Sequence, residues 1–111
     1  MARGRNQASE KYFWRIQGYD SSRAIFEMRV GFGQLTDAQM KDALKALVAK
    51  AGLQYEEIVG AYAKRGTRIA NELLVVHGEL STHTFWCGSN PHFVATVVDE
   101  KERVRPNPPV G

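Results

Sequence analysis

Hydrophobic residues recur every three or four positions through the middle of the chain, between Thr36 and Gly66. In the first half of this stretch they fall on one stripe, formed by Met40, Ala43, Leu44, Leu47, Val48 and Ala51. This spacing is typical of an amphipathic helix. Thr36 and Gln39 have the spacing of an N-terminal capping box, and Gly52 suits the left-handed conformation that ends many helices. We therefore predict a helix between Thr36 and Gly52.

The second half of this stretch has two interpretations. Helical spacing recurs at four apolar residues, Tyr55, Ile58, Val59 and Tyr62. Acidic residues come before basic ones, as the helix dipole prefers, and Gly66 could end the helix. Gly60 opposes this, because glycine in a helix interior costs about 1 kcal/mol relative to alanine. The alternative is a strand from Glu57 to Lys64, and we favour the helix.

Alternation with a period of two precedes the helical stretch. The aromatic-rich segment 12–17 is followed by turn residues at 18–22, and apolar residues then alternate with other types from Ala24 to Phe32. Such alternation indicates strands with one core face and one wetter face. The two segments predict an antiparallel hairpin.

Strand patterns return after the helical stretch. The segment 69–77 predicts a central strand, and 82–87 and 92–98 predict two further strands rich in Thr, Val and aromatic residues. Residues 88–91 provide a turn between the last two. The element order β-β-α-α-β-β-β predicts an α+β domain, an antiparallel sheet of about four or five strands packed on one face by one or two helices.

Length and composition set the class of protein. With 111 residues, the chain fits one domain at 10–100, preceded by a flexible basic arm at 1–9 and followed by a charged, proline-rich tail at 101–111. The single cysteine excludes an intramolecular disulfide, and no apolar run is long enough to span a bilayer. We expect a cytoplasmic protein without a membrane partner; the net charge of +3 is compatible with nucleic acid without requiring it.

All three histidines and the cysteine fall in one segment, at His77, His83, Cys87 and His92. Zinc binds such side chains, but on one strand His83 and Cys87 would lie about 13 Å apart at roughly 3.3 Å per residue. Only a hairpin centred near Leu80 would bring His77 opposite His83. We expect no metal site and no cofactor.

A catalytic thiol would require Cys87 to meet His92 across the turn that separates them. Cys87 follows Phe85 and Trp86, and a free cysteine beside aromatic residues is more often a small buried hydrophobe. The chain has no nucleophile elbow, zinc-protease motif or phosphate-binding loop. We therefore expect no enzymatic activity.

Nucleic-acid binding is the alternative function. Two short helices around Gly52 resemble a helix-turn-helix, and the residues in the corresponding positions are Leu47, Ala51, Gly52, Leu53, Ile58 and Ala61. Acidic residues at the start of the second helix would face phosphates, which disfavours this interpretation. The candidate phosphate contacts are basic, namely Arg3, Arg5, Lys64, Arg65 and Arg68.

Protein binding is the function that we favour. Consecutive aromatic residues in a strand point to opposite faces, so at least one from 12–14 and one from 85–86 should lie opposite the core. Exposed aromatics beside arginines are typical anchors of protein interfaces. The expected partner-binding residues are Tyr12, Trp14, Arg15, Phe85 and Trp86. The size is that of small inhibitors and accessory proteins of phages and mobile elements, and a homodimer could also bury these aromatics.

Overall fold

The computed structural model describes residues 11–104, which form five strands and two helices. The elements are β1 (Tyr12–Asp20), β2 (Arg23–Gly31), α1 (Asp37–Gly52), α2 (Tyr55–Tyr62), β3 (Val76–Glu79), β4 (Thr84–Cys87) and β5 (His92–Asp99). A 3-10 turn, Phe32–Gln34, joins β2 to α1. The α+β class and the predicted order of elements are confirmed. The arm predicted at 1–9 and the tail beyond 104 lie outside the described residues.

The five strands form one antiparallel sheet in the order β2-β1-β5-β4-β3. The prediction of a central strand at 69–77 is wrong, because residues 69–75 form turns and irregular loop and the strand Val76–Glu79 lies at an edge. Asn71 explains the difference. Its side chain donates to Glu57 O at 3.0 Å and accepts from Leu73 N at 3.0 Å, so side-chain bonds replace strand pairing there. The apolar run contributes Leu74 to the core instead.

Helix α1 begins at the predicted capping box. Thr36 Oγ1 accepts from Gln39 N at 3.1 Å, and Gln39 Oε1 accepts from Thr36 N at 3.0 Å. Gly52 does not take the left-handed conformation expected of it, since it lies inside the last turn of the helix. A Cβ atom at Gly52 would lie 2.5 Å from Pro91 Cδ, so the position needs glycine for close packing.

The helical interpretation of the second segment is confirmed by α2, although the helix ends at Tyr62, before the basic residues. A Cβ atom at Gly60 would lie 2.3 Å from Ile69 O, so this close approach outweighs the low helix propensity of glycine. The apolar spacing did not identify the buried side of the helix. Tyr55 is 87% exposed and Tyr62 65% exposed, whereas Gly60 is buried.

The core lies between the helices and one face of the sheet, and α1 packs over β5, β4 and β3. Its members are Trp14, Ile16, Phe32, Met40, Leu44, Val48, Leu74, Phe85, Cys87, Phe93, Ala95 and Val97. Trp14 Nε1 donates to Leu35 O at 3.2 Å, which satisfies the buried indole. Neither described helix packs on the other face of the sheet.

Candidate functional site

We call the side of the sheet away from the helices the open face. Residues paired across antiparallel strands share a face, so the register identifies its members. They are Phe13, Arg15, Gln17, Tyr19, Glu27, Arg29, His77, Glu79, Thr84, Trp86, His92, Val94, Thr96 and Val98. Aromatic residues lie toward β3 and β4, and two arginines lie toward β1 and β2.

Trp86 is the large aromatic side chain at one end of the open face. Its ring stacks on His77, its partner on β3, with centroids 5.9 Å apart and an interplanar angle of 24°. On the other side it pairs with Val94 of β5. Among residues 11–104, the indole N–H has no hydrogen-bond partner. The ring is thus held in place by its neighbours while its polar edge stays available.

Arg15 and Arg29 form the basic end, where they pair directly across β1 and β2. Glu102 lies between them, with Oε1 3.5 Å from Arg15 Nη1 and Oε2 hydrogen-bonded to Arg29 Nη1. The guanidinium of Arg29 also lies over the Phe13 ring, 4.6 Å from its centroid. Two like charges facing each other repel, and Glu102 compensates them. Within the described part of the chain, the buried Nε of Arg15 has no hydrogen-bond partner.

Asp99 shapes the turn that brings Glu102 to this position. Its carboxylate accepts from Lys101 N and Arg103 N, both at 2.9 Å, and from Arg103 Nε at 3.0 Å. These bonds lower the pKa of Asp99 to about 2 because they stabilise the charged form. The bond from the backbone N–H of Arg103 has the largest effect. The chain then returns to pair Val104 with Val98.

Two of the five residues predicted to bind a partner lie on the open face, namely Arg15 and Trp86. The expectation for Trp14 and Phe85 needs correction, because both side chains are buried in the core and present no surface. Tyr12 is partly buried and packs against the core from the helix side. One residue from each aromatic group thus points into the core and its neighbour points away from it.

Sequence reasoning missed four side chains of this surface, Phe13, Arg29, His77 and Glu102. The alternation in β2 could have identified Arg29. Its apolar neighbours face the core, so Arg29 lies on the opposite face of the strand. Hairpin register then places Arg29 beside Arg15. No local pattern in the sequence connects Glu102 to these arginines, since Glu102 lies 73 positions from Arg29 along the chain.

The histidine and cysteine side chains do not converge. His77 pairs with Trp86 and not with His83, so the expected hairpin centre near Leu80 is wrong. His83 contacts the rings of the core, and its Nε2 lies 2.7 Å from Asp37 Oδ1. Across residues 11–104, no group of three or more His, Cys, Asp or Glu side chains could hold a metal ion.

Cys87 and His92 lie on opposite faces of the sheet. Cys87 is buried on the helix side, where it pairs with Phe93, and His92 Nδ1 lies 2.8 Å from Gly88 O. Burial raises the pKa of the Cys87 thiol, since it disfavours the thiolate. This pair therefore has neither the geometry nor the thiolate character of a Cys–His nucleophile.

The basic segment after α2 forms a separate surface. Lys64, Arg65 and Arg68 are exposed, and none of them forms an ion pair with another residue of the range 11–104. At the start of α2, Glu57 Oε1 accepts from Gln54 N at 2.8 Å, so this carboxylate caps the helix. The predicted contacts Arg3 and Arg5 lie outside the described residues.

Neither a scan against protein-family models nor searches of curated proteins and of solved structures finds a match to this chain. Within residues 11–104, no helix combines the length and the apolar character that crossing a membrane requires. The function is therefore inferred from the side chains on the sheet.

Proposed function

We propose that this protein is a small non-enzymatic binding module that recognises another protein through the open face. The observation that carries the proposal is the position of Trp86, which is held against His77 on a sheet face that no described helix covers. Its indole N–H has no hydrogen-bond partner among residues 11–104. Tryptophan and arginine dominate the binding energy of many protein interfaces. Here both types lie on the same face of the sheet.

Trp86 would serve as the apolar anchor. Its stacking on His77 and its pairing with Val94 restrict the ring before a partner arrives. Ordering a side chain on binding costs roughly 0.5–1.5 kcal/mol, and a ring already restricted avoids much of that cost. The indole N–H would donate to a partner carbonyl or carboxylate.

Arg15 and Arg29 would bind an acidic group of the partner. The two guanidinium groups already hold one carboxylate, that of Glu102, and arginine forms paired hydrogen bonds with carboxylates. A partner carboxylate would replace Glu102 or join it there. We therefore propose a protein partner with an apolar patch flanked by Asp or Glu.

A module of this kind acts by covering a surface of a larger protein. The proposal extends to an inhibitor or accessory protein in the cytoplasm, of the type that phages and mobile elements carry. Coverage of a surface requires a stable scaffold and a rigid contact face, and residues 12–20 and 92–99 supply the two strands at its centre.

The test is capture of partners from a host lysate with purified wild-type protein and two variants, Trp86→Ala and Arg15→Glu. Tyr55→Ala is the matched control, because Tyr55 is an exposed aromatic on α2, away from the open face. We expect the wild type and the control to capture a partner that remains bound after nuclease treatment. Both open-face variants should fail to capture it. Equal capture by Trp86→Ala and the wild type would reject the proposal.

Nucleic-acid binding is the second candidate. It is supported by the exposure of Lys64, Arg65 and Arg68 and by their lack of ion pairs with described residues. Phosphate contacts make affinity fall steeply with salt concentration. Fluorescence anisotropy with duplex DNA and with RNA, at low and high salt, would detect such binding. The double variant Arg65→Glu, Arg68→Glu should abolish it, whereas Trp86→Ala should leave it unchanged.

A further inference from the structure

The two edges of the sheet differ in length. Strand β3 has four residues, and such short edges offer little template for pairing. Strand β2 has nine residues, and no described strand pairs with its outer side. Its sequence from 23 to 31 contains neither Lys nor Pro, which often protect edges from pairing. Its charged residues, Arg23, Glu27 and Arg29, include both signs.

Two apolar side chains of β2 are also more exposed than apolar residues usually are. Met28 is 50% exposed and Ile25 38% exposed, although Met28 points to the helix side of the sheet. Helix α1 covers β5, β4 and β3, so the helix layer stops short of β2. Apolar side chains therefore lie along this edge, whose outer side pairs with no described strand.

The order of charges along β2 specifies what could pair with it. Glu27 and Arg29 flank Met28 and point to the open face. If a second copy pairs antiparallel with Met28 opposite its own counterpart, Glu27 of each copy faces Arg29 of the other. Opposite charges directly across two strands contribute about 0.2–1 kcal/mol per pair. In the same register Phe26 faces Val30, an aromatic and β-branched pair.

Neighbouring registers lack this complementarity. Residues directly opposite in an antiparallel pair point to the same face, so a two-fold symmetric pair places one residue opposite its own copy. Centring on Glu27 places two carboxylates together, and centring on Arg29 places two guanidinium groups together. The register shift of the β1–β2 pair lies between Gly18 and Tyr19, so the stretch from Phe26 to Gly31 is regular enough to pair.

The contacts that Glu27 and Arg29 already form leave both able to pair across the β2 edge. Among residues 11–104, Glu27 forms no ion pair or side-chain hydrogen bond. Arg29 already binds Glu102 through Nη1, but a guanidinium has five N–H donors. One face of the Arg29 guanidinium lies over the Phe13 ring of the same chain. The other N–H donors of Arg29 bond to no other residue of 11–104, so they can reach a carboxylate across the edge.

We propose that two copies of this chain associate through their β2 edges, in the antiparallel register centred on Met28. The two five-stranded sheets then join into one continuous sheet. The two-fold axis is perpendicular to this sheet, so both helix layers lie on one side and both open faces on the other. The helix-side residues Phe26 and Met28 of the two copies fill the gap between the helix layers.

Charge reversal tests both the interface and its register. Sedimentation velocity from micromolar to millimolar concentration should show the wild type approaching twice the monomer mass. Glu27→Arg alone places Arg opposite Arg29, and Arg29→Glu alone places Glu opposite Glu27. Each should weaken self-association at least about tenfold, given two reversed pairs per dimer. An equimolar mixture of the two variants should associate again, because every pair is then Arg with Glu.

A disulfide test reads the register independently of charge and of the Arg29–Glu102 contact. The Cα atoms of directly facing residues lie about 4.5–5.5 Å apart, within the range that a disulfide spans, so Met28→Cys should form a disulfide-linked dimer under mild oxidation. Phe26→Cys is the matched control on the same strand and face, and faces Val30 instead of itself. Thermal melts by circular dichroism would show that every variant is folded.

Several results would overturn the inference. One is a wild type that stays monomeric throughout the concentration range. Another is a dimer that neither charge reversal weakens, and a third is a variant mixture that remains monomeric while each variant is folded. Cross-linking of Phe26→Cys as fast as Met28→Cys would exclude the register. Trp86→Ala should leave self-association unchanged, which separates this inference from the proposed binding function.

Discussion

The two tryptophans show how the two faces of the sheet differ. Trp14 points toward the helices, is fully buried, and donates its indole N–H to Leu35 O. Trp86 points away from them, stacks on His77 and has no hydrogen-bond partner for its indole within residues 11–104. Both belong to aromatic groups in strands, so residue type does not distinguish their roles. The face does, because the helices pack on one side of the sheet and neither described helix packs on the other.

Adjacent residues show the same division. Phe85 is a core residue, and Trp86, next in sequence, is on the open face. The covered face derives its stability from apolar burial, worth about 25 cal/mol per Å². The open face buries Thr96 and Val98, but its charges and partly buried rings should cost less folding energy to remove. The faces should therefore respond differently to equivalent substitutions.

The largest difference is expected between Trp14→Ala and Trp86→Ala. Removing Trp14 leaves a cavity in the core and should lower the free energy of unfolding by about 3–5 kcal/mol. Removing Trp86 should cost about 1 kcal/mol, because its ring is only partly buried and its loss leaves no cavity. Urea unfolding monitored by far-UV circular dichroism measures both. Similar losses in the two variants would contradict the distinction between the faces.

Two glycines extend the comparison. Gly60→Ala would place a Cβ atom 2.3 Å from Ile69 O, so α2 must shift, and we expect a loss of about 1–3 kcal/mol. Gly31→Ala on the open face meets no atom closer than 3.7 Å and should change the free energy of unfolding by less than about 0.5 kcal/mol. The same urea titration compares them. A neutral Gly60→Ala would show that the contact with Ile69 is not close in solution.

The pH dependence tests the turn that carries Glu102. The pKa of Asp99 is lowered from 3.8 to about 2, so folding favours its carboxylate. The resulting stability is present above 3.8 and is lost as the pH falls toward about 2. Asp99→Asn should therefore be less stable than the wild type at neutral pH, with the difference shrinking across this window. Thermal melts at a series of pH values measure it, with Glu100→Gln as the control in the same turn.

The smallest effect on folding is expected for Glu102→Gln. The ion pairs of Glu102 with Arg15 and Arg29 are partly exposed, and such pairs contribute about 0–1 kcal/mol. Binding of the proposed acidic partner should strengthen instead, because Arg15 and Arg29 lose a competing carboxylate. Titration calorimetry with the captured partner measures this change. Weaker binding by Glu102→Gln would show that Glu102 itself contacts the partner.

Much of the architecture was predictable from local patterns. The capping box at Thr36, the helical stripe through Leu44, and the alternation in β2 each reflect interactions between residues close in sequence. The strand predicted at 69–77 failed because Asn71 bonds to Glu57 of α2, a contact between separate segments. Arg15 and Trp86 were predicted site residues on the open face; Arg29 and Glu102 were not predicted.

The sequence by itself determined the α+β class, the order of elements and the alternation along the strands, because these depend on side-chain periodicity and short-range hydrogen bonds. The tertiary structure alone decided which side of each strand the helices cover. That choice buries Trp14 and Phe85 and leaves Trp86 beside His77. It also decided that a turn held by Asp99 carries Glu102 back to Arg15 and Arg29. Such contacts join segments far apart in the chain, so no local pattern specifies them.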